Sequence, residues 1–386
     1  MRRATDAERE RLHETFVSLC RIESPSGRER ACADWVTREL RAMGLEVEED
    51  DAGARAGSDA GNLLARIPGA GTDSILLCAH MDTVPLTAPV EPVQVDGGWE
   101  NAGDGILGAD NKSAVAAILE VARRVTTAPE PPMVGLELLF TICEEVSLRG
   151  SAAFDAGRLK SRYGYVFDHA TPIGEIVLAS PTHHRIDAEL RGRAAHAGVR
   201  PEVGRSAIAA AASAIAAMRL GRVDAETTAN VGTIEGGTAI NVIPERCRIV
   251  AEVRSLDRVR AESIATEMID RLQEAADAAE CDLDVTLQRG FEGYRIRPRA
   301  IEVAVAEQAL RTSGYEPRHI VTGGASDANT LRLAGFPCVC LADGTEHNHE
   351  PTERISTDAL EGLFELVLAV VEEAGRVEAP AEVAAG

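Results

Sequence analysis

The stretch ILLCAHMDTVPL, residues 75–86, joins a run of apolar residues to a histidine and an aspartate where a strand would normally turn. His80 and Asp82 are two residues apart, and residues at that spacing in an extended segment point to the same face. Two polar side chains directed at one place are typical of a metal ligand and a partner that orients it. The same pattern also arises when a histidine simply hydrogen-bonds a carboxylate near a turn.

The length and composition of the chain limit the class of protein. At 386 residues the chain is long enough for two domains, since about 100–200 residues per domain is usual. Hydrophobic residues make up 45% and aromatic residues only 3%, so the cores are expected to consist mainly of Ala, Val, Leu and Ile. The formal net charge of −22 disfavours binding to nucleic acid or to an anionic membrane. A globular protein with neither partner is expected.

Segments that would direct the chain out of the cytoplasm are not apparent. The first residues, MRRATDAERERLHETF, lack the apolar region of a secretory signal, and no run of 18 or more apolar residues offers a membrane span. The eight cysteines are scattered among apolar neighbours without a CxxC pair. These features predict a cytoplasmic protein with reduced, buried thiols.

Strand-like and helical patterns alternate at both ends of the chain, which is typical of an α/β sheet covered by helices on both faces. The closing residues 377–386 are expected to form a tail. Strands are predicted at 62–67, 75–80, 134–142, 164–168, 318–322 and 337–341, and helices within 6–43 and at 111–126, 299–313 and 357–374.

The middle of the chain has a different pattern. An alternating strand from about residue 183 precedes an Ala-rich segment, 206–221, that predicts a helix ended by Gly221. Two more strands, a helix at about 257–278 and a last strand complete a strand-helix-strand-strand-helix-strand order, the split βαβ plan. The expected organisation is an α/β domain formed by residues 1–182 and 294–386 with an inserted α+β domain at 183–293.

Several apolar segments end in an acidic residue or a histidine, and ligands in open α/β sheets collect outside the carboxyl ends of strands. Glu144 and Glu145 are adjacent after an apolar strand, which is costly unless a cation is nearby. Asp110 follows a glycine-rich approach and precedes a helix, where it could alternatively act only as an N-cap. The full set is His80, Asp82, Asp110, Glu144, Glu145, Asp168, His347 and His349.

Histidine and carboxylate ligands without cysteine suit zinc or a related divalent ion in a catalytic role. The number of carboxylates exceeds what one tetrahedral ion needs. Two ions that share a bridging carboxylate therefore fit this set better.

The order and spacing of eight motifs resemble those of the M20 family of dinuclear zinc peptidases and amidohydrolases, over roughly residues 8–375. The segments around GRAAHAG and GGTAINVIP are most similar to the peptidase T-like branch. The resemblance implies a zinc-exopeptidase α/β domain with a mixed, mostly parallel sheet between helices, and an inserted ferredoxin-like domain for lid and dimer formation. The motifs are HMDT, GADNKSAVAA, CEEVSLRGS, the strand end at Asp168, GRAAHAG, GGTAINVIP, GGASDAN and HEPTE.

This resemblance also implies how the metal ions are held. Asp110 would bridge the ions, His80 and Asp168 would complete one site, and Glu145 and His349 the other. A cis peptide is expected after Asp110. His347 is the competing candidate for the last ligand, but the family's pattern of a histidine followed by Pro and Glu fits HEPTE, which begins at His349.

Further roles follow from the same resemblance. Glu144 matches the general base, and Asp82 is expected to hydrogen-bond the second ring nitrogen of His80. His196 matches a donor to the developing oxyanion that reaches across from the smaller domain, often of the partner subunit; a polar turn residue is the alternative.

Substrate contacts are expected from four other residues. Asn241 and Arg254 match positions that bind the substrate carboxylate, although Arg254 could also be a surface arginine. Gly323 and Gly324 could let main-chain amides approach the substrate, or form a plain tight turn. His169, His183 and His184 belong to no motif.

The function expected from these features is hydrolysis of amide bonds in short peptides by an exopeptidase of the peptidase T-like, aminotripeptidase type. The alternatives are an N-acyl-amino-acid amidohydrolase, a glutamate-type carboxypeptidase and, with less support, a non-catalytic homologue. The expected cofactors are two divalent ions, Zn²⁺ before Co²⁺ or Mn²⁺. A homodimer through the inserted domain is implied by the resemblance alone.

Overall fold

A computed structural model describes residues 3–377 of this chain. They divide into two compact units: the first contains the residues up to Leu178, Ile296–Val321 and the residues from Ser326 onward, and the second contains Ala179–Arg295 and Thr322–Ala325. Apart from its first residue, the segment expected to form a tail, 377–386, lies outside the described residues.

The helices begin where the sequence supplies caps. In α1 the Thr5 side chain accepts a hydrogen bond from the Glu8 amide, and the Glu8 side chain accepts one from the Thr5 amide, which forms a capping box. The helices are, in chain order, α1 (Asp6–Cys20), α2 (Arg30–Ala42), α3 (Ala52–Ala56), α4 (Ala109–Thr127), α5 (Arg149–Ala153), α6 (Ala207–Ala217), α7 (Arg258–Ala278), α8 (Ile301–Thr312), α9 (Asp327–Leu333) and α10 (Thr357–Ala374).

The strands form three sheets. They are, in chain order, β1 (Val47–Glu49), β2 (Leu63–Ile67), β3 (Ser74–His80), β4 (Pro92–Val95), β5 (Gly98–Asn101), β6 (Gly135–Thr141), β7 (Tyr163–His169), β8 (Glu175–Ser180), β9 (Thr182–Arg191), β10 (Gly221–Asp224), β11 (Thr227–Gly236), β12 (Arg246–Ser255), β13 (Asp282–Phe291), β14 (Tyr294–Arg295), β15 (Arg318–Val321), β16 (Cys338–Ala342), β17 (Thr345–Glu346) and β18 (Arg354–Ser356).

The large sheet of the first unit has the strand order β1-β2-β6-β3-β7-β16-β8. The central strands β6, β3, β7 and β16 are parallel, and the flanking strands β2 and β8 pair antiparallel with this centre. Nearly every residue of β3, β6 and β16 is buried, as expected of parallel strands covered on both faces. The predicted mixed sheet is confirmed, with its parallel part confined to the centre.

Helices of the first unit form two groups. Helices α1, α4, α8 and α10 pack together, while α3, α5 and α9 pack with one another, and both α4 and α9 contact β3 and β7. This arrangement places the sheet between two helical layers, as the alternating sequence pattern predicts. A small sheet of order β17-β18-β5-β4 was not predicted, because its strands are only two to four residues long.

The second unit contains an antiparallel sheet of order β10-β11-β12-β9-β13. Helices α6 and α7 contact each other and this sheet, and their apolar residues join Ile186, Leu190 and Ile249 in one core. Without β10, the order of strands and helices along the chain is the predicted split βαβ plan. The inserted α+β fold is therefore confirmed.

The predicted end of the Ala-rich helix is wrong. Helix α6 ends at Ala217, and Met218 already has extended backbone angles. Gly221, with a positive φ of 78°, begins β10 and pairs with Ala229. Pairing with β11 thus outweighs the helix propensity of the residues that follow Ala217.

Within residues 3–377, no helix is both long and apolar enough to cross a membrane.

Candidate functional site

The polar residues at the strand ends meet at one edge of the large sheet. His80 is the last residue of β3, Asp168 lies one residue before the end of β7, and Glu144 and Glu145 follow β6. Because β6, β3 and β7 are adjacent and parallel, their carboxyl ends lie together. Asp110 joins them from the start of α4.

Asp110 lies at the centre of the cluster, with its two carboxylate oxygens facing different partners. Oδ1 is 3.1 Å from Nε2 of His80, which is also 3.6 Å from Oδ1 of Asp168. Oδ2 is 3.2 Å from Nε2 of His349, which is 2.9 Å from Oε1 of Glu145. The residues thus form two groups that share Asp110.

Each group has the composition and spacing of a cation site. The ligand atoms of His80, Asp110 and Asp168 lie within 4.8 Å of one another, and so do those of Asp110, Glu145 and His349. Oδ2 of Asp168 is buried without a hydrogen-bond partner, and burial raises the pKa of Asp168 to about 7 against the opposing effect of His80. A buried carboxylate oxygen without a partner is costly. Divalent cations at these two positions fit the donor set.

The hydrogen bond at Nδ1 of His80 determines which ring nitrogen faces the cluster. Nδ1 is 2.9 Å from the main-chain oxygen of Asp82 and 3.4 Å from its carboxylate Oδ1. An imidazole that donates from Nδ1 presents the lone pair of Nε2 to Asp110 and Asp168. Asp82 was expected to hydrogen-bond this second ring nitrogen through its side chain. Its main-chain oxygen is instead the nearer acceptor, and its carboxylate lies slightly further away.

The Asp82 carboxylate also holds the turn that carries the two glutamates. Oδ1 accepts the main-chain amide of Glu144 at 3.0 Å, and Oδ2 accepts that of Glu145 at 3.2 Å. The Ser26 hydroxyl donates to Oδ2 at 2.7 Å. The Glu144 side chain is buried beside this turn. Burial, and next the charge of Asp168, raise the pKa of the Glu144 carboxyl well above its usual value, and such shifts are typical of acid–base groups in active sites.

Asp110 itself is fixed through its main chain by Glu353. Glu353 is buried and accepts the amides of Gly108 at 2.7 Å and Asp110 at 2.8 Å. Gly108 is the N-cap residue of α4, and the side chain of Asp110 is hydrogen-bonded to His80 and Asn348, so its role is not that of a simple N-cap. The peptide bond between Asp110 and Asn111 is cis, as expected.

The structure separates the two competing histidines. His349 reaches Asp110 and Glu145, whereas the nearest acidic oxygen to His347 belongs to Glu350, at 4.0 Å. Both residues have positive φ values, 58° and 68°. Asn348, between them, donates from Nδ2 to Oδ2 of Asp110 at 2.9 Å, a contact that the sequence did not suggest.

Other supporting residues were also missed. Glu29 is buried and accepts the main-chain amides of Gly27 at 2.9 Å and of Cys143 at 3.1 Å. Asp327 and Asp343 are also buried, and burial raises the pKa of both carboxyls. Asp327 accepts the hydroxyl of Thr141 at the end of β6, and Asp343 directly follows β16. The only sequence signal for these residues is that Asp327 lies in the motif GGASDAN. A single buried acidic residue gives no periodic pattern from which its position could be predicted.

Two of the other predicted residues, His196 and Asn241, meet in the second unit. His196 forms a β-bridge with Val242, and the next amide, of Ala197, donates to the main-chain oxygen of Asn241 at 2.9 Å. Gly198 donates its amide to Nδ1 of His196 at 3.2 Å. A neutral His196 therefore carries its proton on Nε2. Both predicted residues are exposed.

Arg254 and the glycine pair form another group in the second unit. Nη1 of Arg254 donates to the main-chain oxygen of Gly323 at 3.0 Å, and Gly324 accepts the Ser180 hydroxyl at 2.8 Å. An added Cβ at Gly323 would meet no atom within 4 Å, and neither glycine has a positive φ. The turn itself therefore does not require glycine at position 323.

Two family models match parts of the chain. The peptidase dimerisation domain of the M20 group matches residues 182–280, and peptidase family M28 matches residues 62–202. The first match lies within the second unit, and most of the second match lies within the first unit.

Individual proteins match nearly the whole chain. The chain is 38% identical to the aminopeptidase PepT from Bacillus cereus, with a TM-score of 0.85, covering 95% of this chain and 98% of the other. It is 32% identical to a tripeptidase from Staphylococcus aureus, with a TM-score of 0.91 and coverages of 96% and 99%. It is also 36% identical to the uncharacterized protein YqjE of Bacillus subtilis, over 95% of this chain and 99% of that protein.

Proposed function

Because this chain belongs to the M20 family of metallopeptidases, we propose that it is a peptidase T-like aminopeptidase that releases the N-terminal residue of tripeptides. The aminopeptidase and the tripeptidase that resemble it over nearly their whole lengths support this substrate class. The observation that carries the chemistry is the position of Asp110 between two ligand groups.

We assign two divalent ions to these groups. His80 and Asp168 would hold one ion and Glu145 and His349 the other, with Asp110 between them. Zinc is the ion proposed, because imidazole and carboxylate ligands without cysteine are common in catalytic zinc sites. When bound, the ions lower the pKa of a water molecule and polarise the amide carbonyl.

The proton transfers are assigned to Glu144. Its carboxylate takes a proton from the attacking water and returns it to the nitrogen of the leaving amine. Burial and the charge of Asp168 raise the pKa of this carboxyl, and the positive charge of bound ions would lower it and favour the carboxylate that the first step requires. The carboxylate of Asp82 accepts the main-chain amide of Glu144 and so holds the main chain in place at this residue.

The remaining assignments concern the substrate. We assign Nε2–H of His196 as the donor that stabilises the oxyanion, since Nδ1 accepts the Gly198 amide. Asn241 and Arg254 would bind the peptide's carboxylate. The main chain at Gly323 and Gly324 is assigned to lie beside the substrate, and the absence of any atom within 4 Å of a Cβ added at Gly323 supports this for the first glycine.

A substrate panel tests this function. Zinc-loaded protein is incubated with tripeptides, dipeptides, C-terminal glutamyl peptides and N-acetyl amino acids, and the products are identified by mass spectrometry. Release of the N-terminal residue from tripeptides is the expected result. Cleavage confined to glutamyl peptides or acyl amino acids would indicate the carboxypeptidase or amidohydrolase alternative, and no cleavage with two ions bound would indicate a non-catalytic homologue.

Replacing His349 by alanine is expected to reduce the bound metal from two ions towards one per chain. The variant removes a ligand from only one of the two groups, so the group that contains His80 keeps its donors. Metal content by plasma mass spectrometry and tripeptide turnover are the measurements. His347→Ala is the matched control and should keep both ions. Full metal content and activity in His349→Ala would contradict the assignment.

The second unit is proposed to form a homodimer, and the match of its residues 182–280 to a peptidase dimerisation domain supports this. Sedimentation equilibrium tests it, and a stable monomer would refute it. All eight cysteines are buried and free, which supports a reducing compartment such as the cytoplasm.

A further inference from the structure

Three side chains on neighbouring strands of the second unit lie in a row. Arg254 on β12 is paired in register with His183 on β9, which is paired with Phe291 on β13. The next residues, Val253 and His184, are buried on the opposite face, and Val253 belongs to the core under the helices. The row therefore lies on the face of the sheet that the helices leave uncovered.

The ring of Phe291 contacts both of the other side chains. The rings of His183 and Phe291 are 5.0 Å apart at 32°, and the guanidinium carbon of Arg254 lies 5.8 Å from the centre of the Phe291 ring. The glycine at position 290 makes this possible, because an added Cβ there would be 2.3 Å from Nδ1 of His183. The chain thus provides a dedicated place for the imidazole.

Glu252 connects two members of the row through one oxygen. Its Oε2 is 3.2 Å from Nε2 of His183, 3.3 Å from Nε of Arg254 and 3.1 Å from Nη2 of Arg254. Hydrogen bonds from His183 and Arg254 lower the pKa of Glu252 to about 2, against the effect of burial. Glu252 is therefore an anion that restrains both side chains at neutral pH.

The hydrogen bonds of Arg254 leave a defined pair of donors. A guanidinium has five N–H groups. Glu252 accepts from Nε and Nη2, and the main-chain oxygen of Gly323 accepts from Nη1. Each terminal nitrogen therefore retains one N–H that can donate to a carboxylate.

We propose that His183, Glu252 and Phe291 are positioning residues that hold the guanidinium of Arg254 for the free C-terminal carboxylate of a peptide. The inference rests on the proposed function, in which Arg254 binds that carboxylate. A guanidinium held in place before binding loses less conformational freedom when the carboxylate arrives. The enzyme therefore selects peptides with a free C-terminal acid over the same peptides with a C-terminal amide.

The test compares one tripeptide as the free acid and as the C-terminal amide. Glu252→Gln is expected to raise KM for the acid about tenfold, because the restraint loses its charge, while kcat changes less than about twofold and KM for the amide is unchanged. Arg254→Gln should remove the preference for the acid altogether. The same comparison can be made without turnover. Calorimetry then measures the affinity of both peptides for Glu144→Gln and for the double variant Glu144→Gln/Glu252→Gln.

The matched control is Glu226→Gln, which breaks an exposed ion pair with Arg295 in the same unit and should change neither constant. Thermal unfolding of both variants checks the fold. An unchanged KM for the acid in Glu252→Gln, with Arg254→Gln impaired, would refute the positioning role alone. A wild-type enzyme that cleaves tripeptides without preferring the acid would also refute it. A wild-type enzyme that cleaves neither peptide would refute the proposed function and this inference together.

Discussion

Replacing Glu144 by glutamine is expected to lower kcat for tripeptide hydrolysis by about a thousandfold or more while leaving two metal ions bound. Glutamine keeps the size of the side chain but cannot take up a proton, and general acid–base catalysis typically contributes about 10²–10⁴-fold. The main-chain amide that donates to Asp82 is unaffected, so the turn should keep its conformation. Turnover and metal content measured on the same sample test both parts of this prediction.

The control for this variant is Glu350→Gln. Glu350 is an exposed residue of the loop that carries His349, so the same chemical change should leave turnover near the wild-type value. A Glu144→Gln variant that retains most of its activity with two ions bound would assign the proton transfers to another group. Loss of the metal together with activity would instead show that Glu144 is a metal ligand.

Replacing Asp110 by asparagine is expected to remove both ions and to lower turnover more than about a thousandfold. The two oxygens of Asp110 face the two ligand groups, so one substitution withdraws a negative charge from both. Bound ions stabilise the transition state by several kcal/mol. Loss of that stabilisation corresponds to a decrease in turnover of about this size. His349→Ala, which alters only one group, should therefore lose less metal than Asp110→Asn.

Metal content after dialysis and turnover with added zinc are the measurements for Asp110→Asn. Asp104→Asn, an exposed residue of the preceding glycine-rich segment, is the control, and circular dichroism checks the fold of both variants. Two tightly bound ions in Asp110→Asn would exclude the bridging role. Loss of one ion only would place Asp110 in a single site.

Much of the fold could be predicted from the sequence because the signals are local. The apolar run that ends at His80 and the adjacent Glu144 and Glu145 indicated strands whose carboxyl ends carry ligands, and parallel pairing of β3, β6 and β7 brings these ends together. Helix α10 was predicted at its observed bounds, since its apolar periodicity is strong and a Ser side chain caps it. The end of α6 was missed because Gly221 was interpreted as the end of a helix, whereas it begins a hairpin in which β10 pairs with β11.

The sequence by itself determined the order of the elements, the two kinds of domain and the residue types at the strand ends, because periodicity and turn chemistry act over a few neighbouring residues. Tertiary structure alone decided which groups hold these residues in place. Glu353 binds the amide of Asp110 from 243 residues away, and Glu29 binds that of Cys143 from 114 residues away. Such contacts form between buried groups that only the packed chain brings within hydrogen-bond distance, so no local pattern could have revealed them.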